Sequence, residues 1–123
     1  MKEIIAIIRP KKMGPTKEAL YNMGFPSFTV VSVLGRGKQR GIACEVDVDI
    51  RPELLKQGKS GGMKYVPKRL LSVVVKDSDV DIVVKIIIDT NRTEQIGDGR
   101  IFVCPVENAV RVRTNEINED AIS

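Results

Sequence analysis

Two aliphatic runs constrain what this chain can fold into more than any other feature. Ile4-Ile5-Ala6-Ile7-Ile8 is continuously apolar and is ended by Arg9-Pro10, as in a central strand covered on both faces. Leu70-Leu71-Ser72-Val73-Val74-Val75 repeats that character in the second half, and a helix-start signal comes after each run. After the first, Gly14-Pro15 places proline near a helix start, Ala19, Leu20 and Met23 share a face, and Gly24 is placed to close the helix. After the second, Asp77, Ser78 or Asp79 can cap a helix that starts at about residue 80. Val80 to Ile88 carries apolar residues at helical spacing (80, 83, 84, 87) and at strand spacing (80, 82, 84, 86, 88). Its length and acidic cap favour helix.

Phe28 to Leu34 reads as the second strand and Ile101-Phe102-Val103 as the fourth, while Ala109 to Arg113 alternates like a further strand. The order βαβ, long loop, βαβ predicts an α+β fold, a ferredoxin-like split-βαβ sandwich of four antiparallel strands with both helices on one face. The other sheet face is left apolar, which predicts association with further subunits. One domain is expected over residues 1–114, with a long mobile loop at about 36–67 that holds the cluster Gly58-Lys59-Ser60-Gly61-Gly62. The polar residues 115–123 are expected to form a flexible tail.

Composition narrows the chemistry. The 123 residues are 42% hydrophobic, with three phenylalanines, two tyrosines and no tryptophan, so the core must be aliphatic. The net charge of +4 comes from interspersed acids and bases without a like-charged block, which favours small anions over nucleic acid. There is no histidine, and Cys44 and Cys104 stand far apart, so zinc sites and histidine acid–base catalysis are unavailable. With no nucleophile beside a base and no paired carboxylates, an enzyme is not expected. The first apolar run is too short for a signal segment or a membrane span, and a cytoplasmic protein is expected.

Two glycine turns carry the chemistry that remains. In Thr93-Glu94-Gln95-Ile96-Gly97-Asp98-Gly99-Arg100, glycines on both sides of Asp98 permit positive φ and uncovered N–H groups, and Arg100 adds a cation at the mouth of a strand. Gly35-Arg36-Gly37-Lys38-Gln39-Arg40-Gly41 offers the same elements after the second strand. Both are phosphate cradles in outline and together suggest a nucleotide sensor. Singly, each feature has a plainer explanation: the glycines a tight connection, Arg111 and Arg113 a solvated strand face, Lys68 an exposed lysine near a strand start.

Taken in order, Gly35 to Gln39, Pro67-Lys68, Thr93 to Phe102 and Arg111-Val112-Arg113-Thr114 resemble the PII nitrogen-signalling family over nearly the whole chain. The resemblance implies a trimer, or a higher oligomer with a PII-like paralogue, that binds ATP or ADP between subunits and senses 2-oxoglutarate. It implies nucleotide contacts from Gly35, Gly37, Lys38, Gly97, Asp98, Gly99 and Arg100, with Arg111 and Arg113 reaching the phosphates at the subunit boundary. It also implies 2-oxoglutarate contacts from Gln39, Arg40, Gly41 and Lys68, with Gln39 helping to hold Mg²⁺.

The stretch Ile42 to Val66 is longer than in familiar bacterial members, and its one tyrosine, Tyr65, lies at the loop base, against control by uridylylation. Such a loop resembles the nitrogenase-linked archaeal subfamily, which implies dinitrogenase as target, inhibited when 2-oxoglutarate is low. The alternative is control of an ammonium transporter or another nitrogen-metabolism target. An RNA-binding module on the same fold would need more aromatics on its sheet than five in total.

Overall fold

The computed structural model describes residues 1–36 and 65–123. They form β1 (Lys2–Ile8), a 3-10 turn (Pro10–Lys12), α1 (Met13–Asn22), β2 (Thr29–Gly35), β3 (Val66–Val75), a 3-10 turn (Asp77–Asp79), α2 (Val80–Asn91), β4 (Arg100–Pro105) and α3 (Glu119–Ile122). The strands make one antiparallel sheet in the order β2-β3-β1-β4, so the two aliphatic runs are its central strands. This is the expected ferredoxin-like α+β arrangement. Of the mobile loop expected at about 36–67, residues 37–64 lie outside the described residues, and its base at 66–67 is already part of β3.

Alternation sorts the sheet into two faces. Ile4, Ala6 and Ile8 of β1 join Leu71, Val73 and Val75 of β3, and these pack with Leu20 of α1 and with Val83 and Ile87 of α2 in one buried core. Residues of the opposite parity, among them Ile5, Ile7, Leu70 and Phe102, lie on the face away from the helices. Val31 on β2 and Phe102 on β4 are each nearly half exposed there. A single copy of the described residues therefore leaves an apolar sheet face uncovered.

Several local expectations change. The buried stripe of α1 is Met13, Thr16 and Leu20, and Met23 is exposed because the helix ends before its side chain can turn inward. Gly24, at φ 91°, closes α1 as expected: its N–H donates to Tyr21 O and the Phe25 N–H to Leu20 O, the paired bonds of a Schellman ending. Val83, Ile87 and Asn91 are buried four residues apart, which settles 80–91 as helix. None of Asp77, Ser78 or Asp79 makes a side-chain cap bond, since a 3-10 turn leads into the helix. β3 begins four residues earlier than its aliphatic run. Pro67 pairs only with Leu34 of β2, because β1 has ended at the Ile8–Arg69 pair, so its missing N–H is tolerated.

The C-terminal residues depart most from expectation. Ala109 to Arg113 is not a strand: Val110 makes an isolated bridge to Ile117, and the backbone turns between them. The Arg111 N–H donates to Glu116 O and the Asn118 N–H to Ala109 O, so residues 115–123, expected as a tail, return along 109–111 and end in the short α3.

The helices are joined by one buried polar pair. Asn91 Nδ2 donates to Thr16 Oγ1 at 3.0 Å and to Ile87 O, and the Thr16 hydroxyl donates to Lys12 O. Asn91 Oδ1 is buried with no hydrogen-bond partner among the described residues. Thr16→Val should cost about 1–3 kcal/mol in urea unfolding by stranding an amide hydrogen, whereas the Thr16→Val, Asn91→Leu pair removes both partners and should recover most of the loss. A double variant no more stable than Thr16→Val would contradict this role.

Candidate functional site

The loop joining α2 to β4 takes its shape from a carboxylate turned inward. Asp98 Oδ2 accepts the backbone N–H groups of Thr93 (2.7 Å) and Glu94 (2.9 Å), and Oδ1 accepts the Thr93 hydroxyl. Arg9, at the end of β1 and only 5% exposed, completes the arrangement. Its Nη1 bonds Asp98 Oδ1 at 2.7 Å and Thr93 Oγ1 at 3.2 Å, and its Nη2 bonds Ile96 O at 3.0 Å. Burial by itself would raise the Asp98 carboxyl, but hydrogen bonds from Thr93, Arg9 and the Glu94 amide outweigh it. They hold the group well below the usual carboxylate range.

The two glycines serve different needs in this loop. Gly97 and Gly99 have φ of 100° and 122°, and a Cβ at Gly99 would overlap the Ile7 carbonyl oxygen. The loop can lie against the end of β1 only because that atom is missing. On the far side, Lys68 Nζ donates to Gly97 O at 2.8 Å, tying the loop to β3. Lys68 is 8% exposed, not the exposed lysine its sequence position suggests, and its stem packs where a Cβ at Gly35 would come within 3.3 Å of Lys68 Cγ.

Between the end of β2, the start of β3 and this loop lies a cleft of about 490 Å³. Ile7 and Phe102 line it with Gly35, Arg36, Lys68 and the loop residues Gly97, Gly99 and Arg100. It combines glycine backbone that another molecule can approach closely with three cationic side chains, a setting suited to a polyanion. Among the described residues no cluster of three or more metal-ligating side chains occurs, and no helix is long and apolar enough to cross a membrane.

Of the residues singled out in the sequence, the structure brings Gly35, Lys68, Gly97, Gly99 and Arg100 to one cleft. Asp98 does not line it, because its carboxylate is used inside the loop. Arg111 and Arg113 do not line it either: they sit on the segment along which the C-terminal residues return, where Arg111 pairs with Glu116 at 2.8 Å. Gly37, Lys38, Gln39, Arg40 and Gly41 lie outside the described residues, as does Cys44. Sequence reasoning gave no role to Arg9 and counted Arg36 only as part of the Gly35–Gly41 turn. Arg9 follows a fully apolar strand, and a cation at the end of a buried strand calls for an anion, which Asp98 supplies.

A family model described as nitrogen regulatory protein P-II matches residues 1–116. Among similar curated proteins, nitrogen fixation nifHD1 region GlnB-like protein 2 of Methanosarcina barkeri is 53% identical over 122 residues, covering 99% of each chain. The nifHD region GlnB-like protein 2 of Methanobacterium ivanovii is 55% identical with the same coverage. Nitrogen regulatory protein P-II of Rhodobacter capsulatus is 39% identical over 99% of this chain and all of its own.

Asp98→Asn should lower stability near neutral pH by about 1–3 kcal/mol, since a neutral amide cannot answer the buried Arg9. The folded-state pKa is depressed from the ordinary 3.8, so the stabilisation is fully present above that value and is lost as pH falls through the folded-state value. Urea unfolding of parent and variant should therefore differ at about pH 7 and begin to converge only below about pH 4. Equal stability near neutrality, or a gap that does not narrow in acid, would contradict the assignment.

Proposed function

The chain belongs to the nitrogen regulatory protein P-II family, and on that premise we propose that it reports nitrogen status by binding ATP or ADP together with 2-oxoglutarate. The observation that carries the proposal is the cleft itself. Gly35, Gly97 and Gly99 leave backbone accessible beside Lys68, Arg36 and Arg100, so the residues present fit a nucleotide polyphosphate. Gly97, Gly99 and Arg100 would hold phosphates from one subunit, with Asp98 keeping their loop in shape rather than touching the ligand. Gly37 and Lys38 would meet the nucleotide from the β2 side.

Arg111 and Arg113 would reach the phosphates from a second copy. The uncovered sheet face supports this, as do Val110, Val112 and Ile117 in the C-terminal segment, which are 60%, 96% and 61% exposed in one chain. A homotrimer, or a higher oligomer with a PII-like paralogue, would bury them. Mg²⁺ would be held with the help of Gln39 and supplies charge neutralisation between anionic ligands. Lys68, already at the cleft wall, would pair with a carboxylate of 2-oxoglutarate, with Gln39, Arg40 and Gly41 beside it.

The segment between β2 and β3 would present the ligand state to a target. The nifHD-region names of the similar proteins support nitrogenase as that target, inhibited when 2-oxoglutarate is scarce and released when it is abundant. A coupling of about 1–3 kcal/mol between ligand and target sites is sufficient, and target binding must weaken 2-oxoglutarate equally. The protein would act in the cytoplasm without nucleic acid or membrane insertion.

Calorimetric titration with Mg²⁺-ATP and 2-oxoglutarate, separately and together, tests the proposal. Lys68→Ala should weaken 2-oxoglutarate binding roughly 10- to 100-fold, the worth of one charged hydrogen bond, while ATP affinity changes only a few-fold. Gln39→Ala should act in the same direction. Parental 2-oxoglutarate affinity in both variants would refute the assignment.

A further inference from the structure

Arg111 is already occupied. Its Nη1 donates to Glu116 Oε1 at 2.8 Å, and its Nη2 donates to Ser123 O at 2.6 Å and to Ala121 O at 3.4 Å. Both terminal nitrogens of the guanidinium, the two that would form a parallel fork on a phosphate, therefore face acceptors of the same chain. Arg113 makes no hydrogen bond or ion pair among the described residues, so the two arginines assigned to one ligand start from different states.

The acceptors are held in place by their own bonds. The Thr114 hydroxyl donates to Glu116 Oε1 at 2.7 Å, and the Arg111 N–H donates to Glu116 O at 2.9 Å. Asn118 anchors the return through its N–H to Ala109 O, and its Oδ1 accepts the Ala109 N–H. The Ala121 N–H then donates to Asn118 O, which brings Ala121 O and Ser123 O over Arg111. The Thr114 hydroxyl and the Arg111 charge hold the Glu116 carboxyl below its ordinary range, so it is an anion wherever a nucleotide would bind.

We propose that the C-terminal return, residues 114–123, is a built-in competitor for Arg111, with Glu116 standing where a nucleotide phosphate must go. This rests on the assignment of Arg111 as a phosphate ligand and adds a regulation of that site. The pair is 30% and 43% exposed on its two sides, so it is weak enough for a polyphosphate to displace and still lowers the affinity of the empty site. Displacement detaches Ala121 O and Ser123 O as well. Nucleotide occupancy thereby loosens residues 119–123, which lie beyond the Asn118 anchor, from the arm that carries both arginines.

Glu116→Gln keeps the shape and removes the charge. In titrations of the full chain with ATP it should bind roughly two- to five-fold tighter than the parent, and in an Arg111→Ala background the same change should do nothing. Hydrogen exchange of the 119–123 backbone in the parent, the Ala121 amide above all, should speed up when ATP is added, a readout that needs no variant. Weaker or unchanged binding by Glu116→Gln, a gain that survives without Arg111, or exchange that slows with ATP would each overturn the competition. If Arg111→Ala alone binds ATP like the parent, the assignment of Arg111 fails and the competitor falls with it. If the parent binds no ATP, the nucleotide site itself is refuted.

Discussion

The bond between Arg9 and Asp98 is the constraint on which the rest of the site depends. A guanidinium at the end of a central strand, 5% exposed, is tolerable only with an anion in hydrogen-bond contact. Asp98 supplies that anion from a loop 89 residues further along the chain. Having been drawn inward, its carboxylate also gathers the amides of Thr93 and Glu94, so one side chain satisfies the buried charge and folds the loop around itself. Gly99 then lies against Ile7, and Lys68 closes the opposite side through Gly97 O. The cleft wall is thus set by bonds internal to one chain.

Topology decides where that wall stands. The register pairs Gly35 with Val66 and Ile7 with Arg100, so β2 ends, β3 begins, β1 ends and β4 begins at one edge of the sheet. Each strand contributes a residue at or next to its end to the cleft without interrupting the core, whose side chains face the helices. The same alternation leaves Ile5, Ile7, Leu70 and Phe102 on the uncovered face, and the cleft is continuous with it through Ile7 and Phe102. On the proposed function, a ligand site that shares residues with an apolar face would be completed by another copy, and ligand binding would then be coupled to assembly.

Residues whose fate is decided locally were legible in the sequence. The aliphatic runs became the central strands, Gly24 closed its helix, and the glycines at 97 and 99 took the positive φ their turn requires. Residues whose fate depends on a distant partner were not. Lys68 looked exposed because nothing nearby in sequence accepts its amine; its acceptor is Gly97 O, supplied by the folded loop. Pro67 looked like loop, since its place in β3 depends on β1 having ended. The alternation of Ala109 to Arg113 suggested a strand, but Val110 bridges only Ile117 and Arg111 is drawn to Glu116. The bonds of Asp98 inside its own loop were not legible, because its partner, Arg9, is remote.

A cleft wall built by Arg9 and Asp98 must exist before any ligand arrives, and amide hydrogen exchange in the nucleotide-free protein measures this directly. The Thr93 and Glu94 amides, bonded to Asp98, should exchange roughly 10- to 100-fold more slowly than in an unstructured chain. Exchange of both at the unstructured rate, with protection gained only on adding nucleotide, would show that the ligand rather than the Arg9–Asp98 pair builds the site.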